Sequence, residues 1–255
     1  MTRAALTGRH ALVTGGGTGI GLAIAGALAG AGAEVTIAGR GKTALETAAN
    51  GNHRLHPLQM DVLDETSIVN GVAAATTARG PIQICVANAG IAQGRTFMRM
   101  DRTFWDRMLD TNLTGAFLTI REAMKSMLTT DWGRVLTIAS IAGVRGLRGA
   151  AAYTASKHGM IGLTRALSEE YLHDPITFNA ICPGYVDTPI VERNTVAISQ
   201  ATGVSENEAR MSMIKANRHR RLIAPEEIAA AALWLCMPGS DSVNGQTIRI
   251  AGGQV

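Results

Sequence analysis

Tyr153 and Lys157 lie four residues apart in AAYTASKHGMIGLT, Ser140 stands thirteen residues before the tyrosine, and the string TGGGTGIG fills positions 14–21. On a helix, a spacing of four places phenol and ammonium on one face, with Cβ atoms about 5 to 6 Å apart. A fixed cation beside a phenol favours the phenolate and lowers a pKa that is about 10 when unperturbed. A tyrosine tuned in this way gives or takes a proton near neutral pH. The plainer alternative for the pair alone is a solvated contact on a helix surface. The serine and the glycine string argue for chemistry.

These residues need a scaffold. HALVTG, AEVTIAG, LHPLQMD, IQICVANAG, GRVLTIAS, TFNAICPG and TIRIAGG read as seven buried strands, most of them followed by a helical pattern. That alternation predicts an α/β fold, a doubly wound parallel sheet of about seven strands with helices on both faces. Gly15, Asp61, Asn88 to Gly90, Ser140 and Pro183–Gly184 all fall at the carboxyl ends of these strands. Open α/β sheets bind their ligands there. Residues 189–221 interrupt the rhythm with a polar, methionine-bearing helical stretch, read as a substrate lid against the alternative of a decorative helical pair.

The chain has 255 residues and no linker-like tract, so residues 1–255 read as one domain. Hydrophobic content of 46% and charged content of 17% suit a folded globule rather than a disordered chain. A net charge of +4 without a long basic run makes nucleic acid a poor partner. The stretch MTRAALTGRHALVTGG carries no long apolar segment, so no membrane partner and a cytoplasmic location are expected. Cys85, Cys182 and Cys236 sit apart in apolar surroundings without metal-ligand spacing, which predicts buried reduced thiols and no metal.

HALVTGGGTGIGLAIAGALAGAGAEVTIAGR reads as strand, glycine turn, helix, strand. Glycines let backbone amides approach a pyrophosphate, whose charge a helix amino terminus favours. Gly15, Thr18, Gly19, Ile20 and Gly21 are the candidate cradle, although the spacing differs from the usual GxGxxG fingerprint. At the end of the second strand, where an acid would bind a free ribose 2′-hydroxyl, IAGRGK places Gly39 and then Arg40. A guanidinium grips a 2′-phosphate, so NADP(H) is favoured over NAD(H), with Lys42 as a second cation. An ordinary solvated loop arginine is the alternative.

Together these residues resemble the short-chain dehydrogenase/reductase family, in its single-domain branch, along nearly the whole chain. The motifs are TGGGTGIG, Asp61–Val62, Asn88-Ala89-Gly90, Asn112 in DTNLTG, Ser140 in TIASIAG, Tyr153 and Lys157 in YTASK, and Pro183-Gly184 with Thr188 in ICPGYVDTP. The resemblance implies a Rossmann-type sheet, a nicotinamide cofactor and hydride exchange between ketone and secondary alcohol. It implies that Asp61 and Val62 contact adenine, and that Asn88 steadies the sheet while Ala89 and Gly90 lie against a ribose. Thr188 and Val186 would hold the carboxamide, and Tyr153 and Lys157 would also touch the cofactor. By the same resemblance Ser140 polarises the carbonyl and Tyr153 transfers the proton. Lys157 tunes the tyrosine and binds ribose, and Asn112 holds a water that links Lys157 to solvent. Relatives are mostly homotetramers.

The chain also departs from the pattern. Thr18 stands where many NADP-preferring relatives carry a cation, and Ala251 replaces an aspartate of the closing string. Several stretches look like 3-hydroxybutyrate dehydrogenases, and Gln93 matches a substrate glutamine there, yet Ala142 and Ala150 replace the histidine and lysine that hold the substrate carboxylate. The same stretches resemble 3-oxoacyl thioester reductases and polyketide ketoreductases. Gln93, Ile141, Arg145, Leu147 and Tyr185 are the candidate substrate pocket. The expectation is a reductase of a 3-oxoacyl-type or similar ketone, including coenzyme A or carrier-protein thioesters. The alternatives are an NAD-dependent dehydrogenase of a secondary alcohol or 3-hydroxy acid, and a dinucleotide-sensing regulator. Lys215, Arg218, Arg220 and Arg221 form a basic cluster around His219 that would suit thioester phosphates or simply a helix carboxyl end.

Overall fold

The computed structural model describes residues 5–254. Met1–Ala4, the start of the amino-terminal stretch read above, and Val255 lie outside the described residues. Each apolar run forms a strand: β1 (His10–Thr14), β2 (Glu34–Gly39), β3 (Leu55–Gln59), β4 (Ile82–Ala87), β5 (Gly133–Ile138), β6 (Ile176–Pro183) and β7 (Thr247–Ile250). They form one sheet in the order β3-β2-β1-β4-β5-β6-β7, with every pair parallel. The direction of winding changes between β1 and β4, which opens a crevice at their carboxyl ends.

The inner strands β1, β4, β5 and β6 are buried on both faces, and alternate residues feed two cores. On one side Ala11, Val13, Val35 and Ile37 pack under α1 (Gly19–Gly30), α2 (Lys42–Ala49) and α9 (Pro225–Cys236). On the other, Leu12, Cys85 and Val135 pack under α3 (Glu65–Arg79), α5 (Gly115–Met127) and α6 (Ala151–Glu170). Burying a Val, Leu or Ile fully stabilises by about 1.5 to 3 kcal/mol, so these two cores hold the strand ends rigidly.

Two features position the site. α4 (Arg102–Leu109) runs into α5 through a π turn at Asp110–Thr114, and single π turns inside helices often mark functional positions. A small cluster of Phe104, Met108 and Ala152, with Ile91 and Tyr153 against it, locks α4 to the start of α6. Between β6 and α9 the chain forms the helical pair α7 (Pro189–Thr202) and α8 (Glu206–Ala216). All three cysteines are buried free thiols, and burial pushes Cys85 and Cys236 up to about 12. Among the described residues no helix is long and apolar enough to cross a membrane.

Candidate active site

The glycine string makes the turn from β1 into α1. Gly15 and Gly19 have φ of +64° and +53°, a region that favours glycine. A Cβ on Gly21 would meet the Gly15 carbonyl and lie 2.5 Å from Asn88 Nδ2, so the helix can start this close only without a side chain. Thr18 caps α1 without a side-chain hydrogen bond, and the first turn carries no acid. The amino end therefore keeps its positive dipole and backbone donors for an anion. Ile20 packs against the core below, and Thr188 stands over Gly19, 3.1 Å from where its Cβ would be.

Asn88 ties β4 to β1. Its Nδ2 donates to Thr14 O at 2.8 Å and Gly15 O at 3.3 Å, while Thr14 Oγ1 accepts from the amides of Asn88 and Ala89, each at 3.0 Å. The sequence reading did not assign Thr14, although it opens the glycine string. The next residue, Gly90, turns toward α6, and a Cβ there would lie 2.9 Å from Asn112 Oδ1 and 3.7 Å from Lys157 Nζ. Glycine thus brings the β4 turn against the candidate catalytic lysine.

Ser140, Tyr153 and Lys157 converge at the carboxyl end of β5. Ser140 is buried, its Oγ accepts from Ala142 N at 3.1 Å, and it holds the Tyr153 phenol down against the effect of burial. Ile141 and Ala142 continue the turn and are buried with it. Lys157 is 4% exposed, lies 5.8 Å from the Tyr153 ring centre, and donates to Ile138 O at 2.8 Å and to the Met160 thioether at 3.3 Å. Burial pulls the lysine down to about 8. The electrostatics correct the sequence expectation for the tyrosine. Burial pushes the phenol above its ordinary value, and the opposing influence comes from Ser140 rather than from the ammonium, which points at the backbone of β5.

Asn112 occupies the π turn and is fully buried. Its Oδ1 accepts from Ile91 N at 2.8 Å, and its Nδ2 donates to Ile91 O and Ser156 Oγ, each at 3.0 Å. Ser156 Oγ donates in turn to Tyr153 O at 2.8 Å. The carboxamide thus braces the β4 loop against α6. Ser156 went unrecognised in the sequence, where it reads only as part of YTASK.

The end of β6 closes the site. Pro183 and Val186 are buried, and Thr188 Oγ1 donates to Val186 O at 3.3 Å. A Cβ on Gly184 would lie 2.7 Å from Asn217 Oδ1 and 3.1 Å from the Ala251 Cα, so the small Ala251 is packed directly beneath this turn. Asn217 Oδ1 accepts from Tyr185 N at 3.1 Å, and its Nδ2 donates to Tyr185 O at 2.9 Å. Neither Asn217 nor its neighbour Gln254 carries a local sequence signal, because their partners are distant in the chain. Burial raises the Tyr185 phenol, and Arg145 opposes the rise. Leu147 is partly buried, and its carbonyl accepts from Ala150 N at 3.2 Å. Gln93 is the exception among the expected pocket residues. It is exposed, and its Oε1 is taken by the Arg107 guanidinium of α4.

At the far end of the crevice, Asp61 Oδ1 accepts from Leu63 N at 3.0 Å, and Val62 packs on Gly115 of α5. Arg40 is exposed after β2, with only its carbonyl engaged, by Gln59. Lys42 pairs instead with Glu46 at 3.9 Å. The basic cluster does not converge: Arg221 pairs with Glu227, and His219 packs over Gly252. Among the described residues no group of histidines, cysteines and acids could hold a metal.

The glycine turn, Asn88, Ser140, Tyr153 and Lys157 stand at the carboxyl edge of one sheet, and the whole scaffold recurs in known proteins. The profile of the short chain dehydrogenase family matches residues 9–198. The chain belongs to the short-chain dehydrogenase/reductase family. It is 34% identical to a 3-oxoacyl-acyl-carrier-protein reductase of Aquifex aeolicus, over 97% of this chain and 98% of that one. It is 34% identical to a D-beta-hydroxybutyrate dehydrogenase of Cupriavidus necator, over 98% and 99% of the two chains. A crystal structure of an actinorhodin polyketide ketoreductase variant with NADPH superposes with a TM-score of 0.93 at 35% identity, over 96% of each chain. This short-chain dehydrogenase/reductase is accordingly an NAD(P)-dependent oxidoreductase of carbonyl and alcohol substrates. The uncapped α1 terminus, the cradle that a Cβ would fill and the buried Lys157 fit such a dinucleotide.

Proposed function

We propose that this protein is an NADP(H)-dependent reductase of 3-oxoacyl-type or similar ketones, with Tyr153 as the general acid. The observation that carries the reading is the meeting of Ser140, Tyr153 and buried Lys157 at the sheet's carboxyl edge, with Lys157 Nζ 5.8 Å from the Tyr153 ring centre and bonded to Ile138 O at the end of β5. A bound NADPH supplies the hydride that a ketone accepts. Gly15, Thr18, Gly19, Ile20 and Gly21 would hold its pyrophosphate, and Asp61 and Val62 its adenine. Ala89, Gly90, Pro183, Gly184, Val186 and Thr188 would line the nicotinamide end.

Ser140 donates a hydrogen bond to the substrate oxygen, where negative charge grows as the carbonyl is reduced. Tyr153 then gives its proton to that oxygen. The raised phenol pKa supports this direction, because it keeps the proton on Tyr153 at neutral pH. Lys157 remains mostly an ammonium at pH 7 and stabilises the phenolate left after transfer. Asn112 and Ser156 hold the start of α6 so that these groups stay aligned. The α7–α8 pair acts as the lid. Arg40 supports NADP(H) over NAD(H), since no acid stands at the end of β2 to repel a 2′-phosphate. The exposed Phe117 of α5 and Trp234 of α9 support assembly of copies into a homotetramer.

The likeness to a D-beta-hydroxybutyrate dehydrogenase favours a second reading, an NAD-dependent oxidation of a 3-hydroxy acid or secondary alcohol. Steady-state rates with NADPH and NADH over a panel of ketones and 3-oxoacyl thioesters, and with NADP+ and NAD+ over the matching alcohols, separate the two. Faster ketone reduction with NADPH is expected. Preference for NAD+ with the alcohols would replace the first reading by the second.

A further inference from the structure

Lys157 and Met160 stand three positions apart on α6, so their side chains meet on one face of the helix. Lys157 is 4% exposed and Met160 is fully buried, in the same apolar core as Ile161, Phe178 and Cys182. Among the described residues the acceptors of the ammonium are Ile138 O at 2.8 Å and the Met160 thioether at 3.3 Å. An ammonium has three donors, so these two bonds fix its rotation and leave one N–H. The Gly90 turn comes close to Nζ, a Cβ there lying 3.7 Å away, and the Tyr153 ring centre is at 5.8 Å. A thioether suits this place, because its sulfur accepts a hydrogen bond weakly and still packs in an apolar core. A leucine of similar volume would pack as well but leave a second N–H unmet, and an unmet donor on a buried charge is costly. The titratable groups whose charge would reach the ammonium are Tyr153 on α6 and Cys182 on β6, and burial raises both, so both are neutral at pH 7. β5, the β4 turn and the π turn present Ile138 O, Gly90 and Asn112, none of which titrates. Met108 offers an internal comparison: it is equally buried, and its thioether accepts at 3.3 Å from Asn112 Nδ2, a neutral donor.

We propose that Met160 is a positioning residue for the reaction: its thioether, with Ile138 O, sets the rotation of the Lys157 ammonium so that the third N–H is presented at the Gly90 turn beside Tyr153. The consequence for catalysis rests on the reductase reading, and the contact itself does not. Wild type, Met160→Leu, Met108→Leu, Lys157→Met and the double variant Lys157→Met/Met160→Leu are compared by thermal unfolding between pH 7 and about pH 9.5. A lost packing contact costs the same at every pH, whereas a lost acceptor costs only while Lys157 is charged. With the folded lysine at about 8, the Met160→Leu deficit should be larger at pH 7 and shrink as pH rises past that value. The extra deficit at pH 7 should be about 2 °C, the size of a weak hydrogen bond in a chain of this length. Met108→Leu should show no such pH dependence, and neither should Met160→Leu placed in the Lys157→Met background. In turnover, the alkaline limb of kcat for ketone reduction should move down by about half a pH unit in Met160→Leu. A Met160→Leu deficit that is constant across the range, or whose pH dependence survives removal of Lys157, would overturn the proposal, as would an alkaline limb that stays in place. Absence of turnover by wild type on every ketone would count instead against the reductase reading, and the unfolding comparison then decides the Met160 contact alone.

Discussion

The two ends of the sheet both bury titratable side chains and bond them in opposite ways. At the amino end, His10 Nδ1 meets Gly80 O and Nε2 meets Thr36 Oγ1, each at 2.9 Å, and Thr36 also accepts from Arg79 at 3.2 Å. Every ring nitrogen is used. At the carboxyl end, Lys157 has three N–H donors and finds one carbonyl and a thioether. Saturated polar groups specify structure; under-saturated ones are retained at a cost in stability because they have work with a ligand.

The contrast predicts opposite signs for substitutions at the two ends. Tyr153→Phe should lower turnover about a thousandfold, the size of a general-acid contribution, with cofactor binding kept. Activity surviving at a tenth of wild type would remove Tyr153 from the chemistry. Lys157→Met should abolish turnover and yet unfold no more easily than wild type at pH 7. The folded-state pKa of about 8 lies below the unfolded value of 10.5, so the buried ammonium costs about 3 kcal/mol at pH 7. That cost fades as pH rises from about 8 to 10.5, so wild type should gain stability relative to the variant over this window. Thermal unfolding across that range measures it, and a variant less stable than wild type at neutral pH would contradict the sign. Arg40→Ala should raise KM for NADPH about tenfold and leave NADH nearly unaffected; a parallel rise with both cofactors would remove the phosphate contact. The smallest effect lies at the amino end. Burial holds His10 below its ordinary 6.5, so its contribution is complete above that pH and is lost as pH falls through the lowered value. His10→Gln should flatten the acid side of the stability profile, and an unchanged slope would show that His10 is not the group titrating.

Much of this was legible in the sequence, for a physical reason. The seven strands follow from local apolar runs, and Gly15, Asp61, Asn88, Ser140 and Pro183 reach the crevice because each stands where a run stops. Tyr153 and Lys157 share a face because a helix repeats every 3.6 residues. Side-chain direction was less legible. Gln93 turns to Arg107, Lys157 turns to β5, and the phenol pKa rises, because burial and hydrogen-bond competition depend on groups remote in the chain. The π turn around Asn112 and the Arg145–Gln254–Asn217 chain depend equally on distant partners: Arg145 and Gln254 are 109 positions apart.

The central claim is that Ser140, Tyr153 and Lys157 protonate a carbonyl oxygen while its carbon is reduced. NADPH labelled with deuterium at C4 of the nicotinamide, mixed with a 3-oxoacyl thioester and the protein, tests it in one step by mass spectrometry of the product. The account predicts a secondary alcohol with a single deuterium on its carbinol carbon, formed by wild type and lost with Tyr153→Phe. An unlabelled alcohol, or labelling at the same rate by the Tyr153→Phe variant, would contradict it.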